Sequence, residues 1–126
     1  MIDLSGTWLG TYWQMGTQTR FEMTLIQSGN ALTGNVLDDG YLGEAALDGQ
    51  VVGRSIQFCK TYFDSRQSPV NYKGTLAEDG NSMQGTWDFY GVIGFEPWEA
   101  RRNGENLSLS RILDQSKDLQ TVAIRG

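Results

Sequence analysis

The chain has 126 residues, a length typical of one domain that buries a core without disulfides or bound metal. Its formal net charge of −5 argues against a nucleic-acid partner, because phosphate binding needs clustered basic side chains and only Arg101 and Arg102 are adjacent. Histidine is absent, which excludes a Ser-His-Asp triad, a histidine-rich zinc site and proton transfer by imidazole.

The compartment is predicted from cysteine usage and from the pattern of apolar residues. Cys59 is the single cysteine, which favours a reducing cytoplasm. No charged segment followed by an apolar segment precedes Asp3, so no secretory signal is predicted. Apolar runs are too short to span a membrane. We therefore expect a cytoplasmic protein with no membrane partner.

Short β-rich segments follow one another with only turns between them. Alternation of apolar and polar residues predicts eight strands, at residues 6–14, 20–28, 31–38, 43–52, 55–63, 69–77, 82–90 and 95–102. Compact turns are predicted at 28–30, 52–54 and 78–81, where glycine or asparagine allows positive φ, and looser connections at 15–19, 39–42, 64–68 and 91–94.

These two sets of connections alternate along the chain. In an up-and-down barrel they would lie at opposite ends, which predicts one closed end and one open mouth. The predicted fold is all-β, a single eight-stranded antiparallel up-and-down β-barrel over residues 1–102. Residues 103–126 would form a C-terminal tail that plugs the closed end, packs on the wall or reaches a partner, and of these we expect packing on the barrel.

The inward face of the barrel follows from the period of two along each strand. The apolar inward residues are predicted to be Trp8, Tyr12, Phe21, Met23, Leu25, Leu32, Val36, Ala45, Leu47, Val51, Ile56, Phe58, Tyr62, Val70, Tyr72, Leu76, Met83, Trp87, Phe89 and Phe95, with Gly34, Gly49, Gly74 and Gly85 in the same phase. Glycine at these positions leaves room for aromatic rings or allows strong coiling of the strands.

Polar side chains interrupt this lining near the predicted mouth, at Asp38, Lys60 and Tyr72, with Tyr12 and Tyr62 nearby. A charge inside a barrel is costly unless it is paired, so these residues need a partner or a ligand. They would orient a small molecule by one end, with Lys60 meeting an anionic or carbonyl group. The alternatives are an Asp38–Lys60 ion pair that closes the mouth, or a surface position for Lys60.

Aromatic residues gather around the last predicted hairpin, and with Tyr12 and Phe21 they would form a wall or rim for a ring-containing ligand. They are Trp87, Phe89, Phe95 and Trp98. Their indole N–H groups would supply a polar handle, although core packing is the commoner use of such residues. The segment 62–66 is a candidate lid.

The predicted ligand-binding residues are Tyr12, Phe21, Asp38, Lys60, Tyr62, Tyr72, Trp87 and Phe95. No catalytic, metal-binding or cofactor motif is present: carboxylates are too scattered for an acid/base pair, and residues 38–40 lack the pattern of a calcium loop. We therefore expect no cofactor and no metal.

Short motifs spread over residues 4–106 resemble the calycins, the superfamily of lipocalins, fatty-acid-binding proteins and avidins. Gly6-Thr7-Trp8 is similar to the lipocalin Gly-x-Trp, which implies a tryptophan at the closed end beneath Arg101 or Arg102 of the last strand. Segments 4–8, 32–34, 85–87 and 98–106 resemble avidin segments. The lipocalin-like alignment ends the barrel at Arg102, which we favour because Asn103-Gly104 is a turn signal, whereas the avidin-like one continues to about Ser110.

The avidin resemblance fails at the residues that hold the polar group of biotin. Gly10, Gln14 and Val36 stand where avidins carry asparagine, serine and tyrosine, whereas Trp87, Trp98 and Asn106 match. Losing buried hydrogen-bond donors weakens binding more than losing apolar contact, so strong biotin binding is not expected.

The sequence thus predicts a protein that binds a small apolar or aromatic molecule at the open end of a barrel. Two alternatives remain: an interaction or assembly module whose barrel is filled by its own side chains, and an isomerase or cyclase in which Asp38, Lys60 or Tyr72 transfers a proton. A cavity on the order of 300 Å³ would favour the ligand-binding function over the filled barrel. A homo-oligomer is compatible with each.

Overall fold

The computed structural model describes residues 2–40, 42–64 and 66–103. This part of the chain forms eight strands: β1 (Gly6–Gln14), β2 (Thr17–Ser28), β3 (Ala31–Asp38), β4 (Glu44–Val52), β5 (Ser55–Tyr62), β6 (Val70–Leu76), β7 (Ser82–Phe89) and β8 (Ile93–Arg102). Every predicted strand is present, with small shifts at the ends.

The strands pair in chain order into a closed antiparallel barrel. Closure joins β1 to β8, in a register that runs from Trp8 opposite Arg102 to Tyr12 opposite Trp98. The predicted fold class is therefore confirmed. The last strand ends at Arg102, as the lipocalin-like alignment predicted. The predicted tail from residue 104 onward, including Asn106, lies outside the described residues.

Alternation of side chains builds the core. In β2, for example, Phe21, Met23 and Leu25 are buried, whereas the residues between them are exposed, because successive side chains point to opposite faces. The predicted inward residues are buried, apart from Phe89, which is half-buried, and Phe95, which is exposed. Leu4, Trp98 and Ala100 join the core in addition.

Tight packing inside the barrel explains the inward-facing glycines. A Cβ atom at Gly74 would lie 2.7 Å from Cζ2 of Trp98, and one at Gly34 would collide with the carbonyl oxygen of Thr24. Gly74 therefore makes room for an aromatic ring, and Gly34 permits a close approach of β3 to β2. The predicted room for an aromatic ring is thus confirmed at Gly74.

The closed end is sealed by Trp8 and Arg102. The guanidinium carbon of Arg102 lies 4.6 Å from the centre of the Trp8 ring system, and the indole N–H of Trp8 donates to the carbonyl oxygen of Leu4 at 2.9 Å. Arg102 also donates to the carbonyl oxygens of Asp3 and Gly80, at 3.1 and 2.9 Å. The predicted arginine cover is confirmed, and the residue is Arg102.

Replacing Arg102 with alanine is expected to lower the free energy of unfolding by about 2 kcal/mol, because a partly desolvated cation–π contact and several hydrogen bonds are lost. Arg101→Ala is the matched control, since Arg101 is the exposed neighbour on the same strand. Urea denaturation measures both variants. Equal losses of stability would show that Arg102 has no sealing role.

The connections at the other end are less uniform than predicted. Residues 63–69 form a long loop and residues 39–43 a shorter connection, but β1 and β2 are joined by a two-residue turn, Met15 and Gly16, with φ of 49° and 86°. The prediction of a loose connection at 15–19 was wrong, because two successive residues of positive φ make a tight hairpin turn that needs no extra length. The connection 39–43 is no longer than the connection 77–81 at the closed end, so the loop 63–69 is the one that distinguishes the mouth.

Candidate functional site

A buried polar cluster lies at the mouth end of the barrel interior and consists of Tyr12, Asp38, Lys60 and Tyr62. The carboxylate of Asp38 accepts hydrogen bonds at Oδ2 from the hydroxyls of Tyr12 and Tyr62, at 3.0 and 2.6 Å. The Lys60 ammonium lies 3.3 Å from both carboxylate oxygens. The side chains of Asp38 and Lys60 are each 1% exposed, so the ion pair is almost fully desolvated.

Aromatic rings surround the ammonium on the sides that Asp38 does not cover. The Nζ atom of Lys60 lies 4.7 Å from the ring centres of both Tyr12 and Tyr62, and 5.2 Å from that of Tyr72. Each distance is within the range of a cation–π interaction. The tyrosines therefore stabilise the buried charge through their ring faces, and two of them also bind its counterion.

Burial shifts the pKa values of these groups. It lowers the pKa of the Lys60 ammonium from 10.5 to about 8, although the Asp38 carboxylate acts in the opposite direction. Burial, followed by the negative charge of Asp38, raises the pKa of Tyr12 from 10.0 to about 12. The pKa values of Tyr62 and Tyr72 are also raised, with burial again the main cause. The cluster therefore carries one ammonium and neutral phenols at pH 7.

Above the polar cluster lies a cavity of about 240 Å³ that reaches the long loop between β5 and β6. Apolar and aromatic side chains form much of its wall, and the loop adds polar groups at the rim. It is lined by Tyr12, Gln14, Leu42, Lys60, Tyr62, Arg66, Gln67, Ser68, Val70, Tyr72, Trp87 and Phe89. Below it the barrel is filled by its own core.

Five of the predicted ligand-binding residues line this cavity: Tyr12, Lys60, Tyr62, Tyr72 and Trp87. Two others are buried beside it. Asp38 belongs to the polar cluster and binds Tyr12, and Phe21 stacks against Tyr12 with ring centres 6.2 Å apart. The structure thus brings seven of the eight predicted residues to one end of the barrel interior.

Phe95 is the exception, and its predicted inward position was wrong. Its side chain is 54% exposed. Asp88 of β7 pairs with Gly94, whereas Trp87 pairs with Glu96, so Phe95 is an extra residue in β8 and has a φ of 56°. Such a β-bulge inverts the inside–outside alternation beyond it. Trp98 and Ala100 consequently face inward, where sequence alternation counted from Phe95 would have placed them outside.

The indole groups do not supply the polar handle that the sequence suggested. The N–H of Trp87 donates to the carbonyl oxygen of Trp13 at 2.9 Å, and that of Trp98 donates to the carbonyl oxygen of Lys73 at 3.0 Å. Both donors are therefore satisfied by the backbone. Trp87 can offer a ligand only its apolar surface.

Sequence reasoning missed Asp88, which is 3% exposed beside the bulge. Its carboxylate accepts hydrogen bonds from the backbone N–H of Gly91 at 2.6 Å and from the Asn71 amide at 3.2 Å. These contacts hold the β7–β8 turn in place. The glycines at positions 91 and 94 were the available signal, because glycine near a strand end is typical of a bulge.

The candidate lid, residues 62–66, contributes to the cavity through its first and last residues, Tyr62 and Arg66. Phe63 is 62% exposed, and Ser65 lies outside the described residues, whereas Arg66 lines the cavity while paired with Asp64 at 3.0 Å. The next two residues, Gln67 and Ser68, complete the rim. This loop therefore borders the cavity, which is the position that a lid requires.

A scan against models of known protein families and a comparison with curated proteins found no match to this chain. The described part of the chain contains no helix with the length and apolarity that a membrane span requires. In the same part, histidine, cysteine and carboxylate side chains nowhere form a group of three or more that could hold a metal ion.

Proposed function

We propose that this protein binds a small, mostly apolar or aromatic molecule in the cavity at the mouth of the barrel. The observation that carries the proposal is the cavity of about 240 Å³ above a fully buried ion pair. Its wall combines apolar surface from Leu42, Val70 and Trp87 with ample polar surface, so a ligand would be held by apolar contact and oriented by hydrogen bonds.

The size of the cavity limits the size of the ligand. Sites for drug-sized molecules measure about 300–1,000 Å³. A cavity of about 240 Å³ is slightly smaller, which suits a molecule with one or two rings. The aromatic wall favours flat ring systems, because offset or edge-on ring contacts add to the free energy of apolar burial.

A calycin-like origin fits this proposal. The eight-stranded barrel, the Gly6-Thr7-Trp8 motif and the Arg102 cover over Trp8 are features that the resemblance to lipocalins implies. A barrel of this size that is not filled by its own side chains holds one small ligand, and here the polar cluster and the cavity lie at the mouth.

The proposal is tested by a thermal-shift and dye-displacement screen with small aromatic compounds. Val70→Trp should fill the cavity and weaken binding of every hit by about tenfold or more, because the ligand must displace a packed indole. Thr75→Trp is the matched control, since it places the same side chain on the exposed face of the same strand. Circular dichroism establishes that both variants fold, and Ser68→Trp at the exposed rim is a second blocking variant.

The alternative is an interaction module, which the exposed apolar residues of the β7–β8 hairpin favour. Tyr90, Val92, Ile93 and Phe95 are 54–72% exposed. A screen without hits, together with self-association measured by light scattering, would support this module and contradict the ligand-binding proposal.

A further inference from the structure

The hydrogen bonds of the polar cluster leave donors without acceptors. Asp38 is the only acceptor that the described residues place within hydrogen-bond distance of the Lys60 ammonium, which carries three N–H groups. The carboxylate itself already accepts two phenol hydroxyls in addition. Among the described residues the ammonium therefore has two acceptor atoms, both of Asp38, for three N–H groups, and Lys60 has an N–H to spare.

Tyr72 supplies a second free donor. Its side chain is 3% exposed and lines the cavity, and its hydroxyl has no hydrogen-bond partner in the part of the chain that the structure describes. Its ring is held by Phe58, at a ring-centre distance of 4.8 Å and an interplanar angle of 11°, and by the edge contact with Trp98. A buried donor held in a fixed position without an acceptor is unusual in proteins.

The two donors face the same region. Lys60 and Tyr72 lie on the neighbouring strands β5 and β6, and Nζ of Lys60 is 5.2 Å from the Tyr72 ring centre. Each lies two residues below the rim positions Tyr62 and Val70 on its own strand. A ligand that fills the cavity would therefore place its inner end beside both donors.

The charge of the site decides which acceptor fits. Asp38 and Lys60 neutralise one another at 3.3 Å, and neither is exposed to solvent. A carboxylate ligand would add an uncompensated negative charge next to Asp38, and a cationic ligand would add no acceptor and would meet Lys60. Both are disfavoured where water is excluded.

We propose that the cavity selects neutral ligands with a carbonyl oxygen that accepts hydrogen bonds from the Tyr72 hydroxyl and the Lys60 ammonium. This inference rests on the proposed ligand-binding function and specifies the ligand class: small aromatic or alicyclic ketones, aldehydes, esters or amides. Apolar atoms of the ligand contact Leu42, Val70 and Trp87, and the oxygen reaches the floor.

Three probes of nearly equal shape test the selection: acetophenone, cumene and benzoate. Cumene replaces the carbonyl oxygen with a methyl group, and benzoate replaces the methyl group with a charged oxygen. Calorimetric titration at pH 7 should show acetophenone binding about tenfold more tightly than cumene, with benzoate weaker than both, because only acetophenone satisfies the free donors without adding charge. In Tyr72→Phe the affinity for acetophenone should fall towards that for cumene.

A control variant and two contrary results distinguish carbonyl selection from ligand binding itself. Tyr90→Phe removes an exposed hydroxyl and should leave all affinities unchanged. Equal affinity for acetophenone and cumene, or preference for benzoate, combined with loss of binding in Val70→Trp, would overturn the carbonyl selection and leave ligand binding intact. Absence of binding by all three probes at millimolar concentration would overturn both.

Discussion

Replacing Asp38 with asparagine is expected to lower the free energy of unfolding by about 3–5 kcal/mol, because it leaves the buried Lys60 ammonium without a counterion. The Lys60 side chain is 1% exposed and its ammonium lies 3.3 Å from the carboxylate, so the variant leaves a charge that solvent stabilises poorly. The hydroxyls of Tyr12 and Tyr62 lose their charged acceptor in the same variant. Urea denaturation gives the free-energy difference.

Two further variants test whether the unpaired Lys60 ammonium causes this loss of stability. Asp39→Asn removes the adjacent carboxylate, which is 71% exposed and 3.9 Å from Arg20, and should change stability by less than about 1 kcal/mol. The double variant Asp38→Asn, Lys60→Met removes both charges and should recover most of the loss. If the double variant is as unstable as Asp38→Asn, the loss does not come from the unpaired ammonium.

The stability of the barrel is expected to rise between pH 8 and pH 10 and then to fall steeply. Below pH 10.5 the unfolded chain keeps the Lys60 proton, whereas the folded protein begins to lose it near pH 8, so the unfolded state binds more protons and stability increases with pH. Above pH 10 the order reverses, because the unfolded chain loses protons that Tyr12, Tyr62 and Tyr72 retain in the fold.

The alkaline fall is the larger effect. Each tyrosine that stays protonated only in the folded state contributes about 1.4 kcal/mol per pH unit, so three contribute about 4. A total stability of about 5–15 kcal/mol is then lost within a few pH units of pH 10. Tyrosinate absorbance near 295 nm should therefore rise for these three groups together with loss of the β-sheet circular dichroism signal.

Single tyrosine variants check this assignment. Tyr72→Phe should reduce the alkaline slope by about one third, since one of three linked protons is removed. Tyr90→Phe, which changes an exposed residue, should leave the slope unaltered. Gradual titration of all tyrosines without unfolding would contradict the burial of these hydroxyls.

The position of the buried ion pair in the barrel is informative about function, because burying two charges costs free energy. A barrel filled with apolar side chains needs no buried charge, and replacement of such pairs by apolar residues is often stabilising. Here an ion pair and three tyrosines occupy the layer beneath a cavity rather than the sealed end, where Trp8 and Leu4 fill the interior. This placement agrees with retention of the pair for ligand selection.

Alternation of residue types was sufficient for most of the fold. The period of two in β2, with Phe21, Met23 and Leu25 inside, recurs along the other strands, and burial of one face determines the register with which neighbours pair. The same alternation of inward and outward residues predicted that Asp38 and Lys60 lie in the interior near the mouth. Their contact at 3.3 Å is a consequence of that register, because their strands flank β4.

Errors arose where local geometry adds or removes one residue. Gly91 and Gly94 indicate a bulge near the β7–β8 turn but do not say which residue is the extra one, and that residue decides whether Phe95 or Trp98 faces the interior. The tight turn at Met15 and Gly16 was missed for a related reason. A methionine with positive φ is uncommon, and the pairing of β1 with β2 imposes it.

The amino-acid sequence by itself determined the strand order, the closed barrel and the interior position of the polar residues, because these depend on alternation and on short connections that leave few topologies. Only the tertiary structure decided which donors are already satisfied. The indole N–H of Trp87 is bound to the backbone, whereas the Tyr72 hydroxyl has no partner among the described residues. Hydrogen-bond partners come from strands far apart in the chain, so no local pattern reveals them, and they define what the cavity can bind.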